Sequence, residues 1–269
     1  MRRLPLVLAL AALTLLASVS PAGAITGGEP DGDGHPNVGL HYFTQLDGTY
    51  RCSNTLIAPR LVLTAAHCAE NTIGKAQVTF DNPAPAFGTA PSRFVTGTSY
   101  PSPLWTGKLQ NTKLNDIGMI VLDRPASQVW PGIRPVPLAS LGLLDRLGAK
   151  GGLKKTAFTL VGYGVYFEKP ADGPQKQQAV RDRVRRVTTV GIQNITTDVL
   201  KFQENDANST FGGGSCFGDS GGPAFLDGVQ VGITSFGGAQ FCTGMGGYQR
   251  TENAEARAFI EGFLSAYPN

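Results

Sequence analysis

Charge is scarce in this chain of 269 residues: Asp, Glu, Lys and Arg together make up 16%, and the formal net charge is only +3. So small an excess of one sign gives a nucleic-acid partner no support from bulk electrostatics. Few charges combined with frequent helix breakers also argue against a coiled coil or a helical bundle. Long apolar runs are missing as well. The longest, Leu4 to Ala17, is about 14 residues and broken by Pro5 and Thr14, short of the roughly 20 that span a bilayer. Histidine occurs three times, as His35, His41 and His67, so imidazole chemistry has few places to reside. Cysteine occurs four times (Cys52, Cys68, Cys216, Cys242) with no Cys-x-x-Cys spacing, which disfavours a zinc site. What the chain has in quantity is apolar residues, 41%, with 35 Gly and 18 Pro. The first excludes disorder. The second, without a Gly-X-Y period, excludes collagen and predicts many tight turns. The length suits one large domain or two small ones.

Residues 1–24 read as a secretory signal peptide. Arg2 and Arg3 form a basic start, the apolar run follows, and Ala22-Gly23-Ala24 is a small-residue cleavage site. Cleavage there removes two arginines, lowers the net charge to about +1 and leaves a chain starting Ile25-Thr26-Gly27-Gly28. No basic stop-transfer cluster follows, so no membrane attachment is expected after cleavage. Export makes disulfides expected among the four thiols, and residue order alone leaves three pairings open.

Short apolar or alternating segments recur near 38–43, 50–57, 60–64, 76–80, 117–122, 156–161, 180–192, 199–203, 223–226 and 229–235. Turn clusters such as Asp47-Gly48, Asp172-Gly173-Pro174 and Asp227-Gly228 separate them. The pattern predicts an all-β chain, a sandwich or barrels of antiparallel strands. One helix is predicted, about Asn253 to Ala266, where Phe259, Ile260, Phe263, Leu264 and Tyr267 recur on one face. The proline-rich stretch Pro125 to Pro137 is a candidate link between two halves.

Three segments carry candidate chemistry. His67 follows an apolar strand in Leu63-Thr64-Ala65-Ala66-His67-Cys68. Asp116 opens the apolar run Ile117-Gly118-Met119-Ile120-Val121-Leu122. Ser220 lies among glycines in Gly218-Asp219-Ser220-Gly221-Gly222-Pro223, where backbone amides can approach a ligand closely. Gly218-x-Ser220-x-Gly222 also fits the nucleophile elbow of α/β-hydrolases. That fold requires a histidine after the serine, and none exists beyond residue 67. The βα alternation is absent too, so the elbow reading fails.

The order His67, Asp116, Ser220 resembles that of chymotrypsin-type serine proteases. The likeness is carried by Ile25-Thr26-Gly27-Gly28, by Thr64-Ala65-Ala66-His67-Cys68, by Asp116-Ile117-Gly118-Met119-Ile120-Val121-Leu122 and by Gly218-Asp219-Ser220-Gly221-Gly222-Pro223. Weaker echoes are Val161-Gly162-Tyr163-Gly164 and Ser235-Phe236-Gly237. The resemblance spans about 25–267 and implies a single peptidase domain over 25–269, built as two six-stranded antiparallel β-barrels with a C-terminal α-helix and the active site between them. It implies a secreted, monomeric endopeptidase acting on peptides or proteins, a target for protein inhibitors, with no cofactor and no nucleic-acid partner. It further implies Cys52–Cys68 and Cys216–Cys242 disulfides and an oxyanion hole from the amides of Gly218 and Ser220. A new amino terminus at Ile25 would pair with Asp219. Because Ile25 directly follows the predicted signal site, signal cleavage itself would expose that terminus.

By the same resemblance the substrate pocket involves Gly214, Ser235, Phe236, Gly237 and Gly246. With glycine at 214 in place of an acid, and glycines at 237 and 246, the pocket is expected to be open and uncharged, taking apolar or aromatic side chains. The alternative is a non-catalytic binding protein on the same scaffold. Such relatives usually lose His, Asp or Ser, and this chain keeps all three. Arg181, Arg183, Arg185 and Arg186, around Asp182, read as a solvated strand face. Trp105 and Tyr100 read as ordinary packing. Asn194-Ile195-Thr196 and Asn208-Ser209-Thr210 are glycosylation sequons. Residues 69–80 lack the acidic oxygens of a calcium loop, and no metal is expected.

Overall fold

The structure, a computed structural model, describes residues 25, 28–109, 113–168, 178–204, 213–237 and 242–268. The predicted signal peptide and the sequon at Asn208 lie outside the described residues. Among those residues no helix is long and apolar enough to cross a membrane.

After a two-residue strand β1 (Glu29–Pro30), six strands close a first barrel: β2 (Val38–Gln45), β3 (Gly48–Ala58), β4 (Leu61–Thr64), β5 (Ala76–Thr79), β6 (Val95–Pro101) and β7 (Gly118–Leu122). Their order is β2-β3-β4-β7-β6-β5, and pairing of β5 back onto β2 completes the ring. The second barrel holds β8 (Ala157–Gly162), β11 (Arg186–Ile195), β12 (Val199–Glu204), β13 (Pro223–Leu226), β14 (Val229–Gly237) and β15 (Gly244–Arg250). It runs β11-β12-β15-β14-β13-β8 and closes through β8 on β11, with β1 paired to β11 outside the ring. A hairpin of β9 (Tyr166–Glu168) and β10 (Gln178–Val180) completes the strands. All strand pairs are antiparallel.

Each barrel has its own apolar core. Leu56, Val62, Val78, Val95, Ile120 and Leu122 pack in the first; Phe158, Leu160, Val190, Leu200, Phe202 and Val231 pack in the second. The C-terminal helix α2 (Ala254–Ala266) crosses back to the first barrel, where Ala256 and Ile260 join Phe43, Leu61, Leu63 and Met119. Asn253 caps it, its side chain accepting from the Ala256 amide at 2.9 Å. A shorter helix, α1 (Leu143–Ala149), sits between the barrels in sequence and buries Leu144. It was not expected: seven residues are too few to establish helical periodicity. Strands β1, β6, β9 and β15 were not expected either.

The solvated arginine face is overturned at Arg185 and Arg186, while Arg181 is exposed. The predicted strand 180–192 breaks into β10 and β11, and 181–185 runs between them as a connection held by its arginines. Arg185 is 1% exposed. It donates to Asp31 Oδ2 at 2.7 Å, to the Gly32 carbonyl at 2.8 Å and to the Tyr163 hydroxyl at 3.0 Å. Arg186 is also buried and makes a forked pair with Asp182. These guanidiniums satisfy backbone and carboxylate oxygens that irregular chain leaves unpaired.

Candidate active site

The first barrel presents two of the three candidates. A single 3-10 turn, Ala66–Cys68, follows β4 and carries His67, and Asp116 lies two residues before β7. Because β4 and β7 are hydrogen-bonded neighbours, with Thr64 opposite Gly118, their adjoining ends bring the residues together. His67 Nδ1 is 2.8 Å from Asp116 Oδ2, and the His67 amide donates to Asp116 Oδ1 at 2.9 Å. Asp116 has no exposed surface. The Ser235 hydroxyl also donates to its Oδ2, and its own amide donates to Gln249 Oε1 at 3.1 Å. Three donors therefore converge on the two oxygens of one buried side chain, satisfying both. On His67, burial disfavours the cation, but the hydrogen bond and charge of Asp116, aided by Glu70, outweigh it and raise the pKa above 6.5. Glu70 is itself held by Trp105, whose indole donates to it at 2.9 Å.

The other histidines are structural. His41 is wholly buried between the Cys68 carbonyl and the Asn54 amide, and burial lowers its pKa to about 4, so it is neutral. His35 pairs with Asp31 at 2.6 Å and stacks on Phe225.

Ser220 comes from the second barrel, in the turn before β13. The Ser53 amide of β3 donates to the Ser220 carbonyl at 2.9 Å, tying this turn to the first barrel. His67 and Ser220 line one cavity of about 310 Å³. Gly218 adopts φ +96°, a conformation that glycine reaches without strain. The amides of Cys216, Asp219, Gly221 and Gly222 have internal acceptors; among the described residues none is found for those of Gly218 and Ser220. Ser53 contributes again: its hydroxyl donates to the Gly218 carbonyl and accepts from the Tyr163 amide, both at 2.9 Å.

Asp219 is buried, accepting from the amides of Gly164 at 2.8 Å and Cys216 at 2.9 Å. Burial pushes its pKa up to about 7. Gly162 and Gly164 make room for it, since a Cβ on either would stand 2.1 Å or 2.3 Å from its oxygens. Ile25 is buried in the second-barrel core, but among the described residues no hydrogen bond joins it to Asp219. In the full chain its nitrogen is a peptide nitrogen.

Both disulfides are present, Cys52–Cys68 and Cys216–Cys242. The first flanks His67; the second lines the cavity, with Phe217, Phe236 and Gly237. Cys52, His67 and Cys68 lie within a metal ligand's reach of one another, but both sulfurs are bonded to each other and so unavailable.

The expected pocket needs one correction. Gly237 borders open space and lines the cavity, but Gly214 and Gly246 do neither. Glu204 fills the space beside both, behind Ser215 of the cavity lining, so a buried carboxyl group adjoins the pocket where none was expected. Sequence reasoning also missed Gln249, Ser53, Leu109 and Phe217, none of which carries a motif; Ser235 was expected in the pocket and serves Asp116 as well.

The family model described as Trypsin matches residues 25–257. Brachyurin of Leptuca pugilator is 30% identical over 207 residues, covering 73% of this chain and 80% of that protein. Chymotrypsin of Phaedon cochleariae is 32% identical over 198 residues, covering 72% of this chain and 65% of that protein. Among solved structures, HL collagenase superposes with a TM-score of 0.63 at 20% identity, over 92% of this chain and 97% of that one, a likeness of fold. The chain belongs to the trypsin family and is a serine endopeptidase.

Proposed function

We propose that the chain is a secreted endopeptidase in which Ser220 is the nucleophile, His67 the general base and Asp116 its orienting carboxylate. The observation that carries this reading is the His67–Asp116 pair at 2.8 Å facing a cavity that Ser220 also lines. Asp116 accepts the Nδ1 proton, which leaves the lone pair of His67 on Nε2 for the serine proton. As that proton leaves, the Ser220 oxygen bonds to the scissile carbonyl carbon and the carbonyl electrons move onto oxygen. The amides of Gly218 and Ser220 receive that charge. The imidazolium then protonates the departing amine, the C–N bond breaks, and an acyl-enzyme remains. Water, deprotonated by His67, cleaves the ester and restores Ser220.

The domain so described runs over 25–269, freed of residues 1–24 on export, and works as a monomer on peptides or proteins without a cofactor. The new amino group of Ile25 pairs with Asp219 and supplies the buried carboxyl with a cation. Ile25 at φ +60° supports this rearrangement, because a β-branched residue is strained there while Ala24 remains attached. N-terminal sequencing of the exported protein checks the start at Ile25. Apolar cavity walls, from Phe217, Phe236 and the Cys216–Cys242 disulfide, support uptake of apolar or aromatic side chains. They also suit the reactive loop of a protein inhibitor.

A serine-directed phosphonyl fluoride tests the reading. One adduct on Ser220 is expected, absent in Ser220→Ala; a folded protein that takes no label is the non-catalytic binding alternative instead.

A further inference from the structure

The second barrel carries a buried acid that the reaction above does not use. Glu204 ends β12, 2% exposed. The Ser215 hydroxyl donates to its Oε1 at 3.1 Å, and the Tyr248 hydroxyl donates to the same oxygen. A Cβ on Gly214 would stand 2.4 Å from Glu204 Cβ, and one on Gly246 would stand 2.2 Å from Oε1. The side chain therefore threads between two glycines, either of which would exclude it if it carried a side chain. Ser215, its hydrogen-bond donor, lines the same cavity as His67 and Ser220. The carboxyl thus lies one hydroxyl behind the cavity surface, beyond apolar walls.

Among the described residues no lysine or arginine pairs with it. A carboxyl buried without a cation is costly, and its hydrogen bonds come from neutral hydroxyls. A cavity with apolar sides and a buried acid one hydroxyl behind its lining fits a long apolar stem ending in a cation. We propose that Glu204 is the specificity-determining residue of the substrate pocket, extending cleavage from apolar residues to lysine and arginine. The acid comes from β12, not from position 214. The inference rests on reading this cavity as the site for the side chain preceding the scissile bond.

Burial pushes the Glu204 pKa up to about 7, with further repulsion from Asp219, while hydrogen bonds from Tyr248 and Ser215 pull the other way. The titratable groups facing it are the neutral phenol of Tyr248 on β15 and Asp219 in the serine turn. An incoming guanidinium or ammonium meets mostly neutral acid at pH 6 and mostly carboxylate at pH 8.

The test is kcat/KM on peptide anilides differing only in Arg, Lys, Phe or Leu before the scissile bond, for the wild type and Glu204→Gln. The wild type is expected to cleave all four. Its Arg-to-Phe ratio should rise about tenfold from pH 6 to pH 8. In Glu204→Gln that ratio should fall about 100-fold at pH 8 and lose its pH dependence. An unchanged ratio in the variant, or a wild type that cleaves after Phe and Leu but not Arg or Lys, overturns the proposal. Phosphonyl fluoride labelling of Ser220 separates the two readings, since loss of label in the wild type condemns the catalytic assignment itself. Should Glu204→Gln not fold, wild-type inhibition by benzamidine and by neutral benzamide decides. At least about tenfold tighter benzamidine binding at pH 8 is expected, and equal inhibition overturns the proposal.

Discussion

Ser53→Ala probes the joint between the barrels at the point where the serine turn is held. Ser53 has no exposed surface, and its hydroxyl bridges two loops of the other barrel: it donates to the Gly218 carbonyl and accepts from the Tyr163 amide. Alanine removes both bonds and strands a half-buried carbonyl and a buried N–H. Each such group costs about 1–3 kcal/mol, so the pair costs about 3 kcal/mol after partial relaxation. For a domain of this size that is a fall in Tm of roughly 6–12 °C. The same bond fixes Gly218 at φ +96°, beside an amide assigned to the oxyanion. Complete loss of one oxyanion donor costs about 3–4 kcal/mol, and here the donor is loosened, not deleted. A fall in kcat of about tenfold with little change in KM is therefore expected. Thermal unfolding at pH 7 and steady-state kinetics on one anilide substrate read both effects. A variant with wild-type Tm and wild-type kcat refutes the view that this hydroxyl holds the turn.

Two further outcomes follow from the charges. The folded state raises the pKa of His67, so its cation stabilises the fold below pH 6.5 and that contribution is lost as pH rises through the folded pKa. Catalysis needs the neutral ring, so kcat/KM should climb with a midpoint above 6.5; a profile flat down to pH 4 removes His67 as base. Arg185→Ala should cost about 3–5 kcal/mol by denaturant titration, because it leaves Asp31 buried without its guanidinium. Burial raises the Asp31 pKa, but hydrogen bonds from His35 and Arg185 lower it overall. This stabilisation is therefore present above about pH 3.8 and fades in acid. An Arg185→Ala penalty under about 1 kcal/mol contradicts the buried-pair account.

Local patterns disclosed the parts of this fold that repeat simple physics. Strands such as β4, β7 and β13, buried along their whole length, are short apolar runs bounded by turn residues. The segments of His67, Asp116 and Ser220 were legible because each couples one reactive side chain to the end of such a strand. Chain segments stabilised by distant partners were not legible. β6 buries only Val95 and Gly97 and leaves 98–101 half-buried or exposed, and only its pairing with β5 and β7 makes it a strand. The arginines of 181–186 read as solvent-facing because Asp31 and Tyr163, which bury Arg185, are far away in sequence.

Glycine misled in a more instructive way. β15 contains three glycines in seven residues, a composition poor for a strand and suggestive of an empty pocket wall. Yet a Cβ at Gly247 would stand 2.1 Å from the Phe236 ring, and at Gly246 2.2 Å from Glu204. A glycine in a strand marks a place where another group approaches closely, not a place left vacant. Which group comes is set by registers formed across the whole barrel: β15 on β14 brings Phe236 opposite Gly247, and β15 on β12 brings Phe202 opposite Gly246, two residues from Glu204. The placing of a buried carboxyl beside the pocket is therefore a tertiary property. The absence of an acid at position 214 carries no information about it until Glu204, ten residues earlier, is seen to occupy the space that Gly214 leaves.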